Sequence, residues 1–136
     1  MTLSIATVGI WVLRLIAALI LLQTLFFKFT GAEESVYIFS QLGMEPWGRI
    51  GTGILELIAS LLILYPKTTF LGALLAAGLM AGAIGSHLVK LGIEVRSDGG
   101  LLFIYALLVF ISSLILLYIY RDDLSGFLKH LFHKFN

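Results

Sequence analysis

Long apolar runs alternate with short polar connectors along this chain. A transmembrane helix needs about 20 mostly apolar residues, and four windows come close to that length or exceed it. They are Ile5–Phe27, Trp47–Leu64, Phe70–Val89 and Leu101–Tyr120. The pattern predicts four membrane-spanning helices, of which the second is the shortest. We therefore expect the fold class to be all-α, an integral membrane four-helix bundle.

The connector after the first span predicts a short helix at the membrane interface, over Val36–Leu42. Ser35 is a favourable N-cap for it, and Gly43 is a natural stop. Pro46 fits the first turn of the second span, because the first helical position needs no amide hydrogen.

The end of the chain has a different pattern, in which apolar residues recur at helical spacing with basic residues between them. The apolar positions are Leu124, Phe127, Leu128, Leu131, Phe132 and Phe135. This spacing predicts a C-terminal amphipathic helix that lies on the membrane surface. We therefore expect two parts, a four-span membrane domain over residues 1–122 and a basic amphipathic tail over residues 123–136.

Composition supports the membrane class and narrows the chemistry. The 136 residues are 60% hydrophobic and 12% charged, with a mean hydropathy of +1.04, as integral membrane proteins are. The net charge is only +1 and the basic residues are scattered, so we expect no nucleic-acid partner. The chain has no cysteine, which excludes thiol–disulfide chemistry within it.

Four spans place both ends of the membrane domain on one side of the bilayer. The basic residues toward the two membrane surfaces divide four against four, Lys67, Arg121, Lys129 and Lys134 against Lys28, Arg49, Lys90 and Arg96, so the positive-inside rule alone gives a tie. The basic tail favours the anionic lipid of a cytoplasmic leaflet. We expect a multi-pass protein with both termini cytoplasmic.

Two opposite charges are predicted near the middle of membrane spans, where charge is costly and marks candidate function. Arg14 shares a face of span one with small and apolar residues, and Glu56 does the same in span two. The first face is Arg14, Ala17, Ala18, Leu21, Leu25 and Lys28; the second is Arg49, Thr52, Gly53, Glu56, Ala59 and Ser60. We expect Arg14 and Glu56 to meet, either as a structural ion pair that fixes helix register or as part of a functional site.

Polar side chains near one end of the spans predict a pocket that opens to the outer side. Its candidate residues are Arg14, Lys28, Glu56, His87, Asp98 and Tyr105. His87 has an alternative role as an interfacial side chain bonded to a carbonyl. One intramembrane His and one Glu do not supply three ligands, so we expect no metal site.

Span three is rich in small residues, and Gly78 and Gly82 form a GxxxG pair that predicts close helix packing. No nucleophile–base pair, metal set or phosphate-binding loop is visible, so we expect no independent catalytic activity.

Several of these pieces together resemble the DoxX-like family of small four-span membrane proteins. They are Arg14, Phe27-Lys28-Phe29, the segment Phe39–Trp47, Gly53-x-x-Glu56-Leu57, the run Leu61–Pro66 and Ser86-His87-Leu88. The resemblance implies an accessory or small subunit, or an assembly factor, of a membrane redox system linked to quinone or sulfur chemistry. It also implies a bacterial inner membrane, a redox protein partner and, as a cofactor, bound quinone.

Two other functions stay open at this stage. Intramembrane Glu and His are residue types of proton relays, so Glu56 and His87 also fit a small transporter or proton-coupled carrier, which with four spans would need a homo-oligomer. The small-residue face of span three also fits a membrane chaperone or binding module.

Overall fold

The computed structural model describes residues 4–135, and within that range all regular structure is helical. The elements in chain order are α1 (Ile5–Thr30), α2 (Glu33–Gln41), α3 (Trp47–Leu64), α4 (Thr69–Ser86), a π-helical turn (His87–Leu91), α5 (Leu101–Ile119) and α6 (Arg121–Phe135).

Four of these helices are long and apolar enough to cross a membrane: α1, α3, α5, and α4 continued through the π-helical turn as Thr69–Leu91. Each packs against two others, because α1 and α4 both contact α3 and α5. The prediction of an all-α four-helix membrane bundle is confirmed, and the observed spans differ from the predicted windows by a few residues at their ends.

Local chemistry sets the ends of α1. The Ser4 side chain accepts a hydrogen bond from the Thr7 amide at 3.1 Å, which satisfies one of the free amides of the first turn. Gly31 ends the helix with a φ of 68°, and its amide donates to the Phe27 carbonyl. This left-handed C-terminal residue suits glycine, which has no Cβ to clash.

The interior of the bundle is built largely from small side chains. Ala17, Ala18, Ala59, Ala73 and Ala76 are fully buried, so the helix backbones approach closely, as they do in membrane bundles. Five of the six residues predicted to share a face of span one are its buried residues, namely Arg14, Ala17, Ala18, Leu21 and Leu25, and the sixth, Lys28, is half-buried. Large apolar side chains such as Leu19 and Ile111 are exposed on the outside, which suits contact with lipid.

The close helix contact lies at Gly72, whereas the sequence predicted it at Gly78 and Gly82. A Cβ on Gly72 would lie 2.5 Å from the Ile63 backbone nitrogen and 2.8 Å from the Ala59 carbonyl oxygen. Among the residues that the structure describes, no heavy atom lies within 4 Å of a Cβ built on Gly78 or Gly82. A role for that pair in packing against another chain stays a prediction.

The short helix α2 begins at Glu33, earlier than predicted, and the prediction of Ser35 as its N-cap is wrong. The N-cap is Ala32, which makes no side-chain bond, while Glu33 and Glu34 occupy the first turn, where the helix dipole favours acidic side chains. Gly43, with a φ of 70°, follows the end of the helix as predicted.

The last helix, α6, starts at Arg121 and its described side chains are exposed. Leu124, Leu128, Leu131 and Phe135 fall at helical spacing along it. The side chain of Phe127 and residues 1–3 and 136 lie outside the described part of the chain. The boundary between residues 122 and 123, and the position of α6 on a membrane surface, stay predictions.

Candidate functional site

Arg14 lies at the end of α3 and does not meet Glu56, so the predicted ion pair is wrong. Its Nε donates to the Ile63 carbonyl at 2.9 Å and its Nη2 to the Leu64 carbonyl at 2.6 Å. The guanidinium carbon lies 3.8 Å from the centroid of the Trp11 ring, and Arg14 is only 2% exposed. The last carbonyls of a helix lack partners in that helix, and Arg14 supplies donors to two of them.

The register between α1 and α3 explains this error. The ring of Phe29 lies beside Gly53, 2.8 Å from where a Cβ would be. Arg14 is fifteen residues earlier in α1, roughly 22 Å away at 1.5 Å per residue. Glu56 is only three residues past Gly53, about 5 Å away by the same measure. The two charges therefore lie at different depths, and the sequence contains no signal that sets this register.

Glu56 pairs with Lys28. The Lys28 Nζ lies 3.0 Å from the Glu56 Oε2, and the two side chains are 16% and 6% exposed. The Thr24 hydroxyl lies 3.2 Å from the same carboxylate oxygen and also bonds the Leu21 carbonyl at 2.8 Å. Lys28 and Glu56 together carry no net charge, which lowers the cost of placing them inside a membrane protein.

Arg49 holds the end of α1 next to the start of α3. Its Nη2 lies 2.8 Å from Glu45 Oε1, its Nε bonds both oxygens of that carboxylate, and its Nη1 donates to the Lys28 carbonyl. Arg49 thereby links Glu45, in the connector that leads into α3, to the backbone of Lys28. This link fixes the position of the Lys28 backbone from which its side chain extends.

His87 opens the π-helical turn and is 5% exposed. Its Nδ1 lies 2.9 Å from the Gly92 carbonyl oxygen, and the Gly92 amide donates back to the His87 carbonyl at 2.7 Å. The imidazole also meets the Phe103 ring edge-on, with centroids 5.5 Å apart. These contacts hold the ring in one place, and π-helical turns of this kind are frequent at functional sites.

Asp98 organises the loop before α5. Its carboxylate accepts hydrogen bonds from the amides of Val95 at 3.0 Å, Gly100 at 2.8 Å and Leu102 at 3.2 Å. Burial alone would raise the pKa of Asp98, but the hydrogen bonds from these three amides lower the pKa below its ordinary value. Asp98 is therefore occupied by backbone and shapes the loop.

One cavity of about 590 Å³ lies among α1, α2, α3, α4, the π-helical turn and α5. Most of its wall is apolar. Five of the six predicted pocket residues line it, namely Lys28, Glu56, His87, Asp98 and Tyr105, and Arg14 does not. The structure thus brings these five together, and a ligand-binding role for them stays a prediction.

The sequence analysis missed several residues of this cavity. Thr24 lines the wall and bonds Glu56. Helix α2 contributes Glu34, Ser35, Ile38 and Phe39. The amphipathic pattern of α2 predicted an interfacial helix, but no pattern in the sequence shows that this helix covers the end of a cavity. Among residues 4–135, no group of three or more His, Asp or Glu side chains is arranged to hold a metal ion.

Comparison with known proteins identifies the family of the chain. A family model described as the DoxX-like family matches residues 12–114, which is more than half of the chain, and the chain therefore belongs to this family. No curated protein and no solved structure matched the chain.

Proposed function

We propose that this DoxX-like membrane protein is an accessory subunit, or assembly factor, of a membrane redox system, and that it holds a quinone-type molecule in its cavity. The observation that carries the proposal is a cavity of about 590 Å³ inside the bundle, mostly apolar and with a neutral Lys28–Glu56 pair and His87 on its wall.

The cavity's size and chemistry fit such a molecule. Small-molecule sites commonly enclose about 300–1,000 Å³, with mostly apolar walls and a few placed polar groups. A quinone is neutral, with two oxygens on a ring and an apolar chain. Apolar side chains such as Ile20, Leu79 and Leu102 would hold the ring and chain, and the ammonium of Lys28 would donate to an oxygen. A bound quinone supplies the redox chemistry that these side chains lack.

The chain's own residues would bind, orient and shield. Glu56 holds the ammonium group of Lys28, and Arg49 holds its backbone. The N–H groups of Lys28 that are not bonded to Glu56 would therefore have a fixed position for donating to a ligand. The helix α2 covers one end of the cavity with Ile38 and Phe39, which would limit access of water. Electrons would come from a redox protein partner, because the sequence carries no haem motif or nucleotide-binding loop.

The first experiment measures quinone bound to protein extracted gently from its own membranes, by native mass spectrometry and by chromatography of the extracted lipid. Ala83 lines the cavity, whereas Ala81, two residues earlier in α4, is exposed and does not line it. We expect wild type and Ala81→Phe to retain quinone and a redox protein partner. Ala83→Phe should lose roughly tenfold in quinone occupancy, because the ring fills the cavity.

Wild-type protein that carries no quinone and recovers no redox partner would contradict the proposal. Equal occupancy in Ala83→Phe and Ala81→Phe would place the bound quinone elsewhere, for instance in the surrounding lipid.

A second candidate is a proton-coupled carrier, which rests on Glu56 and His87 lining the same cavity. Vesicles with reconstituted protein would then show a proton flux that Glu56→Gln abolishes. Flux that is absent, or unchanged in that variant, would remove this candidate.

A further inference from the structure

The tautomer of His87 can be assigned from its hydrogen bond. Nδ1 lies 2.9 Å from the carbonyl oxygen of Gly92, and a carbonyl can only accept. Nδ1 therefore carries the proton, and in the neutral ring Nε2 has a free lone pair and is an acceptor. The ring lines the cavity and is held by Gly92 and Phe103, so Nε2 is the ring nitrogen left to accept from a ligand.

Several other polar groups of the wall are already engaged. Glu56 is bound by Lys28 and Thr24, and Asp98 by three backbone amides. The hydroxyls of Thr52 and Ser86 donate to carbonyls of their own helices at 2.8 Å. They can therefore accept a hydrogen bond from a ligand but cannot donate one. Gln23, Glu34, Ser35 and Tyr105 also line the wall. His87 differs from them because its buried ring is held in place by both Gly92 and Phe103.

We infer that the cavity recognises a neutral, apolar ring compound through a hydroxyl group, as in a phenol or a quinol, and that this hydroxyl donates to Nε2 of His87. The inference rests on the proposed function and deepens it, because it names the hydroxyl-bearing form of the ligand as the preferred one. A buried acceptor left unpaired costs free energy, so a ligand without the hydroxyl binds less tightly.

The test uses two probes that differ only in the donor, para-heptylphenol and its methyl ether. Each is titrated by calorimetry into the full-length protein in lipid nanodiscs, and the heat of partition into empty nanodiscs is subtracted. We expect the phenol to bind wild type roughly three- to tenfold more tightly than the ether, as one hydrogen bond gives. Equal affinities, a preference for the ether, or no binding of either probe would overturn the inference.

Two variants separate recognition from folding. His87→Asn keeps an amide donor at the position of Nδ1, for Gly92, and removes the acceptor at Nε2, so the preference for the phenol should disappear. His87→Gln places an amide oxygen near the position of Nε2, so part of the preference should return. A preference that persists in His87→Asn would overturn the inference even though the protein folds.

Failure here is distinguishable from failure of the proposed function. If the native protein carries no quinone and no redox partner while the phenol preference depends on His87, the redox proposal fails and the hydroxyl recognition stands. If the native protein carries quinone but the two probes bind equally, the redox proposal stands and the hydroxyl recognition fails.

Discussion

Two polar regions lie inside the same bundle and use their charges differently. The Arg14 cluster consists of Trp11, Arg14, Ile63, Leu64 and Thr69; the cavity cluster consists of Thr24, Lys28, Glu56 and His87. In the Arg14 cluster the charge is directed at free carbonyls of a helix end, and Thr69 adds a further hydrogen bond to Ile63 at 3.1 Å. In the cavity cluster the side chains line empty space large enough for a ligand.

The comparison shows that an intramembrane charge is not by itself a functional site. Arg14 is more deeply buried than Lys28, at 2% exposure of the residue against 16% of the Lys28 side chain, yet its donors are committed to backbone. The two regions differ in what lies next to the charged groups: backbone carbonyls next to Arg14, and a cavity next to Lys28 and Glu56. The Arg14 cluster is expected to determine stability, and the cavity cluster to determine binding.

The largest expected effect comes from removing the charge of the Arg14 cluster. Arg14→Met should lower the free energy of unfolding by about 3 kcal/mol, because the Ile63 and Leu64 carbonyls lose charged donors in a poorly hydrated site. Unfolding in detergent, followed by circular dichroism, measures the loss. Arg121→Met is the matched control, since Arg121 is exposed and also lies over an aromatic ring, that of Tyr118; it should change stability by less than about 0.5 kcal/mol. Similar losses in both variants would contradict the division between the two regions.

The next effect tests how tightly each end of α4 is packed. Gly72→Ala should destabilise by about 2 kcal/mol, because its Cβ would meet the backbone of α3 at 2.5 Å and the helices must separate. Gly82→Ala adds a methyl group where nothing lies within 4 Å among the described residues, so it should be neutral. Thermal unfolding of the two variants side by side gives the comparison, and a destabilised Gly82→Ala would show that another chain packs there.

A double-mutant cycle measures how much the Lys28–Glu56 pair of the cavity cluster contributes to stability. Lys28→Met alone should cost about 1–2 kcal/mol, because it leaves the Glu56 carboxylate with only Thr24 as a partner and the site is partly open to water. Adding Glu56→Leu should recover most of that loss, since both charges are then gone. Equilibrium unfolding of the two single variants and the double variant measures the coupling. Additive losses would mean that the pair contributes nothing.

The smallest effect concerns Asp98, beside the cavity. Its pKa in the folded protein is lower than the ordinary value of 3.8, so its contribution to stability is complete above that value and is lost as the pH falls through and below it. The stability of wild type should therefore fall more steeply with acidification below about pH 5 than that of Asp98→Asn. Glu94→Gln, on the exposed side of the same loop, is the control and should follow wild type.

The sequence predicts the spans and their buried faces because both depend on local periodicity, as the buried run from Arg14 to Leu25 shows. It also predicts five of the residues that line the cavity. It does not predict which charge Glu56 meets, because the partner depends on the offset between α1 and α3, which Phe29 and Gly53 set in three dimensions. For the same reason it does not distinguish Gly72 from Gly82.

The π-helical turn has a consequence for how this part of the chain can vary. Relative to an α-helix it is one residue inserted into a membrane span, with the backbone still hydrogen-bonded, as lipid requires. One residue of α-helix corresponds to a rotation of roughly 100° about the helix axis. The turn therefore changes the direction in which the chain leaves the helix after Leu91, without moving the preceding part of the span. A change of one residue in length here would rotate the loop that carries Asp98 against the cavity. We therefore expect an insertion or deletion at this point to change the shape of the cavity wall more than a single substitution in the wall does.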